Sequence, residues 1–157
     1  MNRMLAELLI RKHEGVRYVV GDTEATTGIG FNLNQEGADT RLKAVGADPA
    51  KVRSGEVQLT ESQVSGLFKV DLNDAIGTAH VIFDDFSDHP EDVQAVIVDM
   101  IFNLGPSGFA GFTKTIDAFK RKDYCTAAAQ MGDSKWAAQV PNRARENISI
   151  VMNSCHA

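Results

Sequence analysis

Two carboxylates lie close together near the start of the chain, Glu14 in Arg11-Lys12-His13-Glu14-Gly15-Val16-Arg17 and Asp22 in Gly21-Asp22-Thr23-Glu24. The first falls where an apolar-periodic helix ends. The second falls in the turn that opens a Gly-rich stretch, Thr26-Thr27-Gly28-Ile29-Gly30. Two acids so placed suit chemistry in which one protonates a leaving group and the other handles water. Glu14 sits beside the negative end of a helix dipole, and packing on the apolar first strand would add desolvation. Both effects favour the neutral carboxyl that a general acid needs. Each residue also has a plainer reading: Glu14 as a solvated side chain before a C-cap glycine, Asp22 as a turn residue accepting backbone N–H groups, Thr26 and Thr27 as good strand formers.

The elements that must position these groups follow from periodicity. Leu5, Leu8, Leu9 and the stem of Lys12 share one helical face, with Gly15 as the stop, so a first helix ends near Glu14. From Val16 to about Leu33 the pattern predicts two short antiparallel strands and their turn. Residues 34–58 read as loop around one short helix, Thr40 to Val45. Thr60-Glu61-Ser62-Gln63 fits a capping box and opens an amphipathic run of about 22 residues, long enough at 1.5 Å per residue to join two lobes. Gly66 and Gly77 weaken that helix unless packing requires their size. A buried central helix begins at Pro90-Glu91-Asp92 and stops at Gly105-Pro106-Ser107-Gly108. Shorter helices follow, capped by Thr113, by Asp123 and by Asp133 or Ser134, and a last one runs from Pro141 to about Met152.

A hydrophobic content of 43%, with 24% charged residues, describes a globular chain, and no apolar run approaches a membrane span. Glu7 and Arg11-Lys12 argue against a signal peptide at the N-terminus. A net charge of −5 without a basic stripe excludes nucleic acid as the expected partner. Cys125 and Cys155 lack metal-site spacing; one disulfide and two free thiols both fit. His80 and His89 read as surface residues with no ligand set or triad around them, and Ser107 follows a helix, unlike a nucleophile elbow.

Taken in order, Glu14-Gly15-Val16-Arg17, Asp22-Thr23-Glu24, Thr26-Thr27-Gly28-Ile29-Gly30, Phe102-Asn103-Leu104-Gly105, Gly108-Phe109-Ala110-Gly111-Phe112-Thr113, Ser134-Lys135-Trp136 and Pro141-Asn142-Arg143-Ala144 resemble the phage-type lysozymes, glycoside hydrolase family 24, most closely those of T-even phages and the endolysins of bacterial prophages. The resemblance implies an α+β fold over residues 1–157: a small N-terminal lobe over about 14–60, a connecting helix over 60–82, and a helical C-terminal lobe of 83–157 with 1–13. It implies a muramidase that cleaves the β-1,4 bond between N-acetylmuramic acid and N-acetylglucosamine in peptidoglycan, with inversion. Glu14 would match the general acid, Asp22 the carboxylate that handles water, and Thr26 a residue holding that water. Asn32, Phe102, Thr115 and Gln130 would match substrate contacts in the cleft between the lobes. No cofactor or metal is implied. A monomer is expected, acting on the cell wall after release from the cytoplasm of the producing cell, with no membrane partner.

The chain departs from the family pattern where the chemistry is concentrated. Asp22 follows Glu14 by eight positions where the family has nine, and Thr26 follows Asp22 by four where it has six. A one-residue change reverses facing along a strand unless a bulge absorbs it, so Thr27 is an alternative to Thr26. Phe31 stands where relatives have His, which removes an ion pair with the long helix near Asp71. Local basic groups, Lys114 with Lys120, Arg121 and Lys122, or Arg143 with Arg145, are left to attract an anionic wall. The alternative function is a lysozyme-like module that binds peptidoglycan or another glycan and cleaves poorly; a transglycosylase using Glu14 alone is a third.

Overall fold

The computed structural model describes residues 1–18 and 26–156, so Asp22, Thr23 and Glu24 lie outside the described residues. The chain divides into two compact units, Glu14–Asp74 on one side and Met1–His13 with Ala75–Ala157 on the other.

In the Glu14–Asp74 unit a hairpin pairs β1 (Thr26–Thr27) with β2 (Phe31–Asn32) in antiparallel register, Thr26 opposite Asn32 and Thr27 opposite Phe31. Arg17 extends the pairing through reciprocal backbone bonds with Gly28, 2.8 and 2.6 Å long. Among the described residues the pairing falls within the span of 16–33 that the β pattern outlines. The helix α2 (Ala38–Ala44) matches the short helix expected near Thr40. A second helix, α3 (Pro49–Ser54), occupies sequence expected to be loop. Its signals are ordinary ones: the Asp48 side chain accepts from the Ala50 and Lys51 amides, Pro49 stands in the first turn, and Gly55 closes the helix at φ 77°.

The long helix α4 (Glu61–Ile82) begins on the expected capping box, with the Gln63 amide donating to Thr60 Oγ1 at 3.1 Å and the Thr60 amide to Gln63 Oε1 at 3.0 Å. Its Val64, Leu67, Phe68 and Leu72 are buried, as are Ile29, Phe31, Leu33, Leu42 and Val52, and they make this unit's core. Gly66 has a packing reason, since a Cβ there would come within 2.9 Å of Val45 Cγ1; Gly77 has none, with nothing within 4 Å.

The other unit holds all but the last residue of α1 (Arg3–Glu14), the end of α4, α5 (Glu91–Ala110), α6 (Thr113–Lys120), α7 (Tyr124–Gly132), α8 (Lys135–Gln139) and α9 (Pro141–Cys155). Residues Val93 to Ile101 of α5 are buried without interruption. By length and composition alone α5 is apolar enough to cross a membrane, contrary to the expectation that no run comes close, but more than half of its apolar stretch is buried inside the protein, as in a core helix. Gly105 breaks its geometry at φ 74°, ψ 165°, a conformation that glycine adopts readily, and helix resumes at Pro106. The expected stop is thus a break between two helical pieces.

Asp123 and Ser134 cap α7 and α8 as expected, whereas α6 is preceded by Phe112, so Thr113 is its first residue and not its cap. A disulfide joins Cys125 of α7 to Cys155 of α9, 30 residues apart, which resolves the two readings of the cysteines. His89 is a correction. It is 3% exposed, packs edge-on to Phe83 and Phe119, and its Nδ1 lies 2.8 Å from the Tyr124 hydroxyl. Burial among these rings lowers its pKa from the ordinary value.

Candidate active site

Glu14 is the last residue of α1, followed by Gly15 in the left-handed conformation at φ 67°. The carboxyl group packs against the turn of the hairpin. A Cβ added to Gly30 would lie 2.9 Å from both Cδ and Oε2 of Glu14. Gly30 also has φ 63°, so its lack of a side chain serves the turn and the close approach together.

Register decides which threonine faces outward. Residues directly opposite in an antiparallel pair share a face, and neighbours along a strand alternate. Thr27 and Phe31 are the buried pair, at 0% and 1% exposure, and Thr27 Oγ1 donates to the Arg17 carbonyl at 3.4 Å. Thr26 is half-buried and shares the other face with exposed Asn32. Of the two threonines, Thr26 is therefore the one presented away from the core. The Asn32 amide oxygen accepts from the Asn34 backbone N–H at 2.8 Å. Glu14, Thr26 and Asn32 all belong to the Glu14–Asp74 unit, and Asp22 lies outside the described residues.

Thr115 and Gln130 line a cavity of about 410 Å³ in the helical unit, with Leu104, Phe112, Lys114, Lys135, Trp136 and Gln139 among its other walls. Trp136 is fixed by its Nε1, which donates to Asn103 Oδ1 at 2.8 Å, and Phe112 meets its ring edge-on. The cavity joins aromatic surface to amide, hydroxyl and ammonium groups, a mixture suited to a polar ligand with apolar faces. Phe102, half-buried on α5, is not among the cavity's lining residues.

Two charged groupings were not anticipated. Arg41 pairs with Asp71, and with Asp74 at 2.8 Å, so Asp71 keeps a cationic partner although position 31 is Phe. Burial outweighs that partner and, with Asp74 nearby, pushes the Asp71 carboxyl up to about 6. The second grouping centres on fully buried Asp99, which accepts from Arg143 Nε and Nη2 at 3.0 and 2.7 Å and from Asn147 Nδ2 at 2.7 Å. His13 joins it, with Nδ1 3.2 Å from Asp99 Oδ1 and Nε2 3.0 Å from Glu146 Oε2. Burial alone would raise the Asp99 pKa; its bonds from His13 and Arg143 and the Arg143 charge bring it below the usual carboxylate value. Arg143, grouped with Arg145 as a surface patch on sequence, is buried here and cannot serve as one. Among the described residues no group of three His, Cys, Asp or Glu side chains is arranged so that it could hold a metal ion.

Among the described residues, a mostly helical content with a small two-stranded antiparallel sheet is compatible with an α+β lysozyme-like fold. No family model matches the chain. It is similar to two proteins of Dictyostelium discoideum: "Probable T4-type lysozyme 2", 25% identical over 139 residues and 82% of each chain, and "Probable T4-type lysozyme 1", 26% identical over 102 residues, 59% of this chain and 56% of that one. These likenesses support a lysozyme-like kinship in a coarse sense.

Proposed function

We propose that the protein is an inverting muramidase that hydrolyses the β-1,4 bond between N-acetylmuramic acid and N-acetylglucosamine in peptidoglycan. The observation that carries this reading is the Glu14 carboxyl at the end of α1, held against Gly30 of the hairpin whose outward face bears Thr26 and Asn32. The likeness to proteins named T4-type lysozymes supports the same substrate.

In this reading Glu14 gives its proton to the glycosidic oxygen as the bond to the anomeric carbon breaks. A water attacks that carbon from the opposite face, losing its proton to the Asp22 carboxylate while Thr26 orients it. Inversion leaves room for one water between acids about 6.5 to 9.5 Å apart. Asn32, Phe102, Thr115 and Gln130 contact the substrate, with Thr115 and Gln130 doing so from the cavity that contains Trp136. Exposed Lys114, Lys120, Arg121 and Lys122 supply local attraction to an anionic wall that the net charge of −5 does not.

The test is the release of reducing ends from purified peptidoglycan. Wild type should generate them; Glu14→Gln should lose at least about a hundredfold in rate, the low end for removing a general acid, while keeping its unfolding temperature. Binding without new reducing ends in the wild type would overturn hydrolysis in favour of a glycan-binding module. Products bearing 1,6-anhydro sugars would overturn it in favour of a transglycosylase.

A further inference from the structure

His13 immediately precedes Glu14, and both of its ring nitrogens face carboxylate oxygens: Asp99 on α5 through Nδ1, Glu146 on α9 through Nε2. A carboxylate only accepts, and a neutral imidazole has only one N–H to donate. Both contacts are hydrogen bonds at once only when the ring carries both protons. The side chain is 7% exposed, so water does not readily substitute for either partner. The other charged groups in this grouping are Arg143, which grips Asp99 from α9, and Lys12, which holds Glu146 Oε1 at 2.7 Å.

We propose that His13 is a positioning residue: held as an imidazolium between Asp99 and Glu146, it pins the last turn of α1, from which Glu14 departs, and loss of one ring proton releases the Glu146 side of the hold. The Glu146 side yields first because the neutral ring's single proton is best spent on Asp99, which is completely buried, whereas the Glu146 side chain is 31% exposed and can turn to water. The balance of charges agrees. Burial lowers the His13 pKa, but the bond to Asp99 and its charge and the bond to Glu146 outweigh burial and the Arg143 charge, so the group titrates above its ordinary value.

The effect on turnover rests on the role proposed for Glu14; the pinning itself does not. Two measurements on the full chain keep them apart. Amide hydrogen exchange of residues 10–14, corrected for intrinsic rates, should show protection falling about tenfold, on the order of one hydrogen bond to a charged group, across the His13 titration followed by NMR. In Glu146→Gln the side-chain amide can donate to a neutral Nε2 and its oxygen can accept from a charged one, so protection should stay level across the same range. Where the wild type is lytic, its kcat should fall in that range with KM little changed, and Glu146→Gln should remove the fall. Protection that ignores His13 titration, or that falls equally in Glu146→Gln, would overturn the pinning. Protection that responds while kcat does not would overturn the positioning role. Failure of the hydrolase reading shows itself separately, as a wild type without turnover at any pH.

Discussion

The Glu14 carboxyl occupies the space a β-carbon of residue 30 would need, 2.9 Å from both its Cδ and its Oε2. Gly30→Ala must therefore move the glutamate or the hairpin turn. It also places an L side chain at φ 63°, which costs roughly 1 to 2 kcal/mol by itself. We expect urea unfolding to show a loss of at least about that size, together with a larger loss of turnover than stability alone explains. A Gly30→Ala protein with full activity would separate the hairpin from the placing of Glu14.

The pH dependence of stability should carry the mark of Asp71. Its folded-state pKa, near 6, lies above the ordinary 3.8, so between those values the folded form holds more protons than the unfolded one. Stability contributed by the protonated group is present below the unfolded value and is lost as pH rises towards 6. Asp99 acts in the opposite sense, its depressed pKa giving stability that is lost on acidification. In Asp71→Asn the decline between about pH 4 and 6 should flatten, by something of the order of 1 to 3 kcal/mol. Chemical denaturation at intervals of half a pH unit measures it, and an unchanged slope would contradict the assignment.

How much of this was legible beforehand depended on distance along the chain. The Thr60–Gln63 capping box and the stop at Gly15 are local rules, and each appears where the residues place it, whereas at Gly105 the expected stop is only a break, because helix resumes at Pro106. Helix α3 was equally local, but Asp48-Pro49 and Gly55 also serve as loop punctuation and the apolar signal between them is a single buried Val52. The Asp99 grouping joins residues 86, 44 and 48 positions apart, so no periodicity could reveal it. His89 misled because acids surround it in sequence, whereas Phe83, Phe119 and Tyr124 surround it in space. At the candidate site, the place of Glu14 follows from the helix period and Gly15, whereas the choice between Thr26 and Thr27 rests on a strand register that the sequence left open, and Asp22 lies outside the described residues.

Reducing the disulfide should loosen the end of α9. Cys125 and Cys155 close a loop of about 30 residues, for which the chain-entropy estimate is roughly 3 to 4 kcal/mol at 25 °C. A thermal scan with and without dithiothreitol should show a lower unfolding temperature for the reduced protein. Because the bridge lies at the end of α9 farther along the chain from Arg143, the bonds of Arg143 and Asn147 to Asp99 should survive, and hydrogen exchange there should change less than at residues 150–156.

The two glycines inside α4 make opposite predictions from the same substitution. Alanine is favoured over glycine in a helix interior by up to about 1 kcal/mol. At Gly77 nothing lies within 4 Å of the added β-carbon, so Gly77→Ala should gain most of that difference. At Gly66 the β-carbon would meet Val45 Cγ1 at 2.9 Å, and Val45 follows α2 directly in the chain. Relieving the clash means displacing that side chain, at a typical overpacking cost of about 1 to 3 kcal/mol. Gly66→Ala should therefore be destabilising although its helix propensity is better. Denaturation midpoints of the two variants, compared at a common pH, test whether packing between α4 and the end of α2 outweighs propensity; a stabilised Gly66→Ala would show that Val45 yields without cost.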